Sequence, residues 1–168
     1  MFDISFVGLK IGKHNFTYQL NNEFFEFYGL NEVIDGKIDA ELILDKKETM
    51  LLLSFAIDGY IFLTCDLCMQ QIKFKVTNKF NQVVKFTEEH IEDDDIITIA
   101  SNQYSINVGH NLYEILSFAI PFKRTCKQSM LGNKNCDKKM IKKLNDLSEK
   151  KKIENDPRWA VLNNLKFN

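Results

Sequence analysis

The chain predicts an α+β protein: an antiparallel sheet, open or curled into a barrel, followed by C-terminal helices. Three observations lead there. Residues 37–44 alternate Ile38, Ala40, Leu42 and Leu44 against Lys37, Asp39 and Glu41, the period of a half-buried strand. Residues 72–77 repeat the pattern with Ile72, Phe74 and Val76 against Lys73, Lys75 and Thr77. Helical spacing shows only later, first at Leu112, Ile115, Leu116 and Ala119.

In chain order, Ile4–Leu9 and Asn15–Leu20 read as short strands with Gly8 and Gly12 nearby. The aromatic stretch 23–28 fits a strand or a short helix, and periodicity does not choose between them. Met50–Ile57 is an apolar run. Asp58-Gly59 reads as a turn, and Tyr60–Thr64 resumes the run. Val83–Phe86 extends the sheet. Residues 88–95 are acidic and read as a solvated loop; they lack the glycine and closing glutamate of a calcium loop. Ile96–Ala100 and Tyr104–Val108 read as a second hairpin turning at Ser101-Asn102.

A helix is expected over 111–120, ended by Pro121. A second is expected near 137–149, with Asp137 as N-cap and Met140, Ile141, Leu144 and Leu147 as its apolar stripe. A third starts at Asp156-Pro157 and carries Trp159, Leu162 and Leu165. It docks either on its own domain or on a partner. The domain reading is a mainly β core over 1–122 that ends in a helix, then a basic helical segment over 123–168 tied back to the core by cysteines.

The chain has 168 residues, is 45% hydrophobic and carries a formal charge of −1. Fourteen Phe and five Tyr supply core volume, and no whole-chain field steers it toward nucleic acid. It shows no secretory signal and no apolar run of membrane length, so the expected compartment is cytoplasmic. There a C-x-x-C is more often a metal site than a disulfide.

The four cysteines are Cys65, Cys68, Cys126 and Cys136. The pair Cys65-Asp66-Leu67-Cys68 between two strands has the form of a metal knuckle, and Cys126 and Cys136 complete a zinc set of four thiolates. A closed set of this kind is structural. Two other readings stand beside it: a thiol redox pair at Cys65 and Cys68, and buried thiols with no common role. No nucleophile–base pair stands out among His14, His90, His110 and the carboxylates, so no catalytic residue is assigned.

Residues 123–152 hold the densest positive stretch. If RNA is bound, the candidates are Lys123, Arg124, Lys127, Lys138, Lys139, Lys142 and Lys143. The alternative is the solvated face of an amphipathic helix. The sequence shows no glycine-rich phosphate cradle and no RNA-stacking aromatic motif.

Three segments in order, Cys65-Asp66-Leu67-Cys68, Glu114–Pro121 and Asp156–Lys166, resemble the YceD family, the large ribosomal RNA subunit accumulation proteins. The resemblance runs from about residue 37 to the end. It implies a non-enzymatic role in making or maintaining large-subunit ribosomal RNA, with ribosomal RNA or large-subunit assembly proteins as partners. It implies no membrane and no small-molecule substrate. Many family members crowd more cysteines after the proline than the two found here.

Overall fold

The structure is a computed structural model that describes residues 2–87, 96–100, 102–132 and 136–148. The chain divides into two compact units, Met1–Cys136 and Asp137–Asn168. The first part of the basic stretch, residues 123–136, thus belongs to the same unit as the sheet.

The first unit contains β1 (Asp3–Ser5), β2 (Gly12–Leu20), α1 (Asn22–Phe27), β3 (Asp35–Lys46), β4 (Met50–Thr64), β5 (Gln71–Phe86), β6 (Ile96–Ile99), β7 (Ser105–Asn107), α2 (Gly109–Ala119) and a 3-10 turn (Cys126–Gln128). Strands β2 to β6 form one sheet in sequence order, and β1 pairs with β7 in a small separate one. Among the described residues the large sheet stays open. Its pairs are antiparallel except for β5 with β6, which run parallel. The fold is α+β, as the periodicities predict.

Alternation sets the buried face. Ile38, Ala40, Leu42 and Leu44 of β3 point inward with Leu51, Leu53, Phe55, Ile57, Ile61 and Leu63 of β4. Ile72, Phe74, Val76 and Val84 of β5 complete the layer. Helix α2 lies across β4 and β5 and buries Leu112, Ile115 and Leu116. Asn78 Nδ2 fastens it to the sheet by donating to the Ile115 carbonyl at 3.1 Å. The aromatic stretch resolves as helix α1, because Asn21 caps it by accepting from the Phe24 N–H. Phe24 and Phe25 are buried beneath it.

Two local expectations are corrected. Asp58-Gly59 is not a turn: β4 runs unbroken through it, with Asp58 paired to Asp39 and Gly59 to Ile38. A Cβ at Gly59 would overlap the Lys37 carbonyl and the Ile38 Cα, so glycine is there to let β3 come close. The expected second hairpin is absent among the described residues. Instead β6 pairs with β5 (Val83 with Ile96, Phe86 with Ile99) and β7 with β1 (Ile4 with Ile106). Both pairings reach outside the local stretch, where hairpin reasoning does not look.

The second unit contains α3 (Lys138–Leu147). Asp137 caps it as predicted, accepting from the N–H groups of Lys139 at 2.8 Å and Met140 at 3.2 Å. The acidic segment 88–95 and the terminal helix expected from Asp156 lie outside the described residues.

Candidate metal centre

The β4–β5 hairpin ends in the loop Cys65–Gln70. Two backbone bonds shape it: the Cys65 N–H donates to the Gln70 carbonyl at 2.9 Å, and the Met69 N–H to the Cys65 carbonyl at 3.0 Å. Met69 sits at φ +60°, the left-handed region that favours glycine. This tight reversal turns Cys65 and Cys68 inward, where they are 0% and 2% exposed.

A second arm brings Cys126 to the same place. The Asp66 N–H donates to the Arg124 carbonyl at 2.8 Å, and the Arg124 N–H returns a 2.7 Å bond to Asp66 Oδ2. The Arg124 guanidinium reaches away to Glu32, with Nη1 donating to Oε2 at 2.8 Å. Past the 3-10 turn, Ser129 Oγ holds the Cys126 carbonyl at 2.7 Å. The Met130 N–H then bonds the Lys73 carbonyl at 2.9 Å. The arm is therefore pinned to the hairpin on both sides of its cysteine, and Cys126 is 2% exposed.

The sulfurs of Cys65, Cys68 and Cys126 all lie within 4.8 Å of one another. The Cys68–Cys126 separation is 3.3 Å. Thiolates around a tetrahedral zinc at ~2.3 Å would stand roughly 3.8 Å apart, inside this range. Cys136 is half-buried and stands outside the mutually close trio, yet its thiol interacts with Cys126 and Cys68. Burial pushes the Cys126 thiol far above its ordinary range, and hydrogen bonds with Cys68, Cys65 and Cys136 push it further. Burial also raises the Cys136 thiol. Raised in this way, the Cys126 and Cys136 thiols resist ionising until a cation supplies the compensating charge. Soft thiolate donors suit zinc.

The remaining predicted residues fall in both units. Lys123 and Lys127 are exposed on the first unit, and Lys138, Lys139, Lys142 and Lys143 are exposed on α3. Arg124 differs. Its side chain is 26% exposed and is engaged by Glu32, with Nε 3.8 Å from Asp66 Oδ1. His14 bonds the Lys10 carbonyl at 2.8 Å, and His110 lies 3.2 Å from Glu114 on its own helix. Neither approaches the sulfur cluster closely enough to join it.

Sequence reasoning missed an aromatic and basic grouping at this end of the sheet. Lys73 Nζ sits 3.5 Å from the Tyr60 ring centroid and 5.6 Å from that of Phe62. The signal was the even spacing of Tyr60 and Phe62 before the knuckle and of Lys73 and Lys75 after it.

Fold and site together define an α+β protein whose sheet ends in a buried thiol cluster of metal-binding geometry. Residues 53–166 match the sequence model of the large ribosomal RNA subunit accumulation protein YceD, and the chain belongs to the YceD family. Comparison with curated proteins and with solved structures gives no match.

Proposed function

We propose that this protein is a non-catalytic factor in large-subunit ribosome biogenesis. It supports the processing or accumulation of large-subunit ribosomal RNA by binding RNA or large-subunit assembly proteins in the cytoplasm. The observation that carries the reading is the family match over residues 53–166.

The site supports binding over catalysis. Cys65, Cys68 and Cys126, with Cys136 as fourth ligand, would close a zinc site and leave no position for a substrate. The metal would hold the hairpin tip and the Cys126 arm as one rigid end of the fold. A low-pKa redox pair at Cys65 and Cys68 is the competing use of these residues. Reactive thiols of that kind sit in electropositive, partly exposed surroundings, whereas these two are buried at the tip of an antiparallel hairpin. No described helix is long and apolar enough to cross a membrane.

RNA contact would fall to the exposed Lys123 and Lys127 and to Lys138, Lys139, Lys142 and Lys143 of α3. Arg124 would contribute only as far as Glu32 and Asp66 release it. The test has three parts. Metal analysis should find one zinc per chain with protected thiols. Crosslinking in cells should recover large-subunit RNA or its assembly proteins. Cells lacking the protein should show less large-subunit than small-subunit RNA. An unchanged ratio, with no salt-sensitive binding to RNA or ribosomal proteins, would overturn the reading. Metal-free, reactive Cys65 and Cys68 would transfer it to redox chemistry.

A further inference from the structure

The outward face of β3 and β5 is mostly polar, as expected of a face turned to water, while β4 presents Met50, Leu52 and Ala56 farther along and an aromatic pair beside the knuckle. Tyr60 and Phe62 project from β4 on this face, two residues apart, with ring centroids 5.8 Å apart and planes at 85°. Both residues are half-buried, so each ring keeps part of its surface open to solvent. Lysines flank them: Lys37 on β3 is the cross-strand partner of Tyr60, and on β5 Lys75 pairs with Tyr60 and Lys73 with Phe62.

Two neighbouring aromatic rings left partly open on a solvent face suit a partner with planar groups. Lysines on both sides can also meet anionic groups of such a partner. Single-stranded RNA has both properties, since its bases stack on rings and its phosphates meet ammonium groups. We infer that the outward face of β3–β5 beside the knuckle is a stacking platform for single-stranded RNA. Bases lie on Tyr60 and Phe62, and Lys37, Lys73 and Lys75 meet the phosphates. This inference rests on the RNA-binding reading above and adds a surface to it.

The geometry constrains how the platform works. Lys73 covers the Tyr60 ring in the free protein, and an exposed cation–π contact is weak enough for a phosphate to draw the lysine aside. Asp58 lies 3.3 Å from Lys75, and Asp35 is the cross-strand partner of Phe62. With Asp39, the cross-strand partner of Asp58 and two residues from Lys37 on the same face, these carboxylates offset all three lysines. Stacking therefore outweighs charge on this face, and its share of the salt dependence is small. The Met130–Lys73 backbone bond and the knuckle together hold this end of the sheet in shape.

The test uses the full chain with its metal and a fluorescent oligouridylate of about twelve nucleotides, read by anisotropy across a salt series. Replacing both rings with leucine (Y60L with F62L) keeps apolar bulk but removes the stacking faces. Affinity is expected to fall by about tenfold or more, while the slope against salt stays as in the parent. Tyr60→Phe should bind like the parent, and an RNA duplex of similar length should bind more weakly than the single strand. If the parent binds oligouridylate and the double variant binds equally well, the platform is wrong while the RNA-binding reading survives. If the parent shows no salt-sensitive binding to any RNA, both fail. If the double substitution abolishes binding of a large-subunit protein instead, the face is a protein interface and the RNA assignment is overturned. Should the double variant not fold, 4-thiouridine crosslinking of the parent decides: crosslinks at Tyr60 or Phe62 are expected, and crosslinks confined to other segments overturn the inference.

Discussion

Asp66 and Arg124 are 58 positions apart and grip each other through the backbone. The Asp66 N–H donates to the Arg124 carbonyl, and the Asp66 carboxylate accepts from the Arg124 N–H. This two-way latch joins the hairpin that carries Cys65 and Cys68 to the arm that carries Cys126. Asp66→Ala removes the charged half of it. The carboxylate is 44% exposed, so the loss is expected to be about 1 kcal/mol of folding stability. The more specific outcome is faster zinc loss to a chelator, because the Cys126 arm is less well held. Glu32→Ala, which breaks only the outer ion pair, should change the chelation rate far less. Equal effects from the two would show that the backbone latch has no special role.

Substituting the thiols one at a time tests the metal set directly. Cys65→Ser, Cys68→Ser and Cys126→Ser should each abolish stoichiometric zinc and lower the melting temperature, because metal affinity is folding energy. Cys136→Ser is the informative variant, since Cys136 lies outside the tight trio. As fourth ligand, its loss should cost at least tenfold in zinc affinity, roughly 1.4 kcal/mol or more. Unchanged affinity would mean that another group closes the site.

Met69 pays for the knuckle's geometry with a left-handed backbone. At φ +60° and 66% exposure, its side chain adds little packing to offset the strain. Met69→Gly should therefore stabilise the protein by about 0.5–1 kcal/mol with zinc affinity unchanged, as denaturant melts can show. Destabilisation would mean that the exposed thioether packs against something that the folded unit needs.

Gly59 makes the opposite case. The backbone of β3 occupies the space of its missing Cβ, and β4 is paired on both sides at this point, with Ile38 and with Val76. Neither neighbour can yield alone, so Gly59→Ala should cost about 2–3 kcal/mol. A melt equal to the parent's would mean that the strands do not approach so closely.

Gly59 also shows where the sequence was readable and where it was not. The Lys37–Leu44 alternation marked β3 because its inward and outward residues differ in polarity at every step. Asp58-Gly59 looked like a turn because the same two residue types serve turns and close strand contacts. Only the facing strand distinguishes the two uses. The closeness of Cys65 and Cys68 was legible in the C-x-x-C because both thiols sit in one loop. The arrival of Cys126 depends on Asp66, Arg124, Ser129 and Lys73, whose contacts span long stretches of chain and leave no local pattern. The pairing of β1 with β7 was hidden for the same reason. Tyr60 and Phe62 blended into an apolar run, and only the register shows that they face outward.

Alkaline titration offers a last test, through two tyrosines that precede the knuckle in sequence. Tyr18 and Tyr28 both have pKa values raised above 10.0, first by burial and second by the negative charge of Asp3. A group whose folded pKa exceeds its unfolded value holds its proton more tightly in the folded state. Its contribution is complete below the unfolded value and is lost as pH rises through the folded one. Stability should therefore show no tyrosine-linked fall between pH ~7 and ~9, and should decline above pH ~10 as these two phenols are forced to ionise. Absorbance near 295 nm should show Tyr18 and Tyr28 ionising late. Asp3→Asn removes the charge but keeps an oxygen able to accept the 2.9 Å bond from Asn107 Nδ2. It should move the late step part of the way back and reduce the alkaline loss, leaving the larger share due to burial. A late step that does not move in Asp3→Asn would show that Asp3 does not act on these rings.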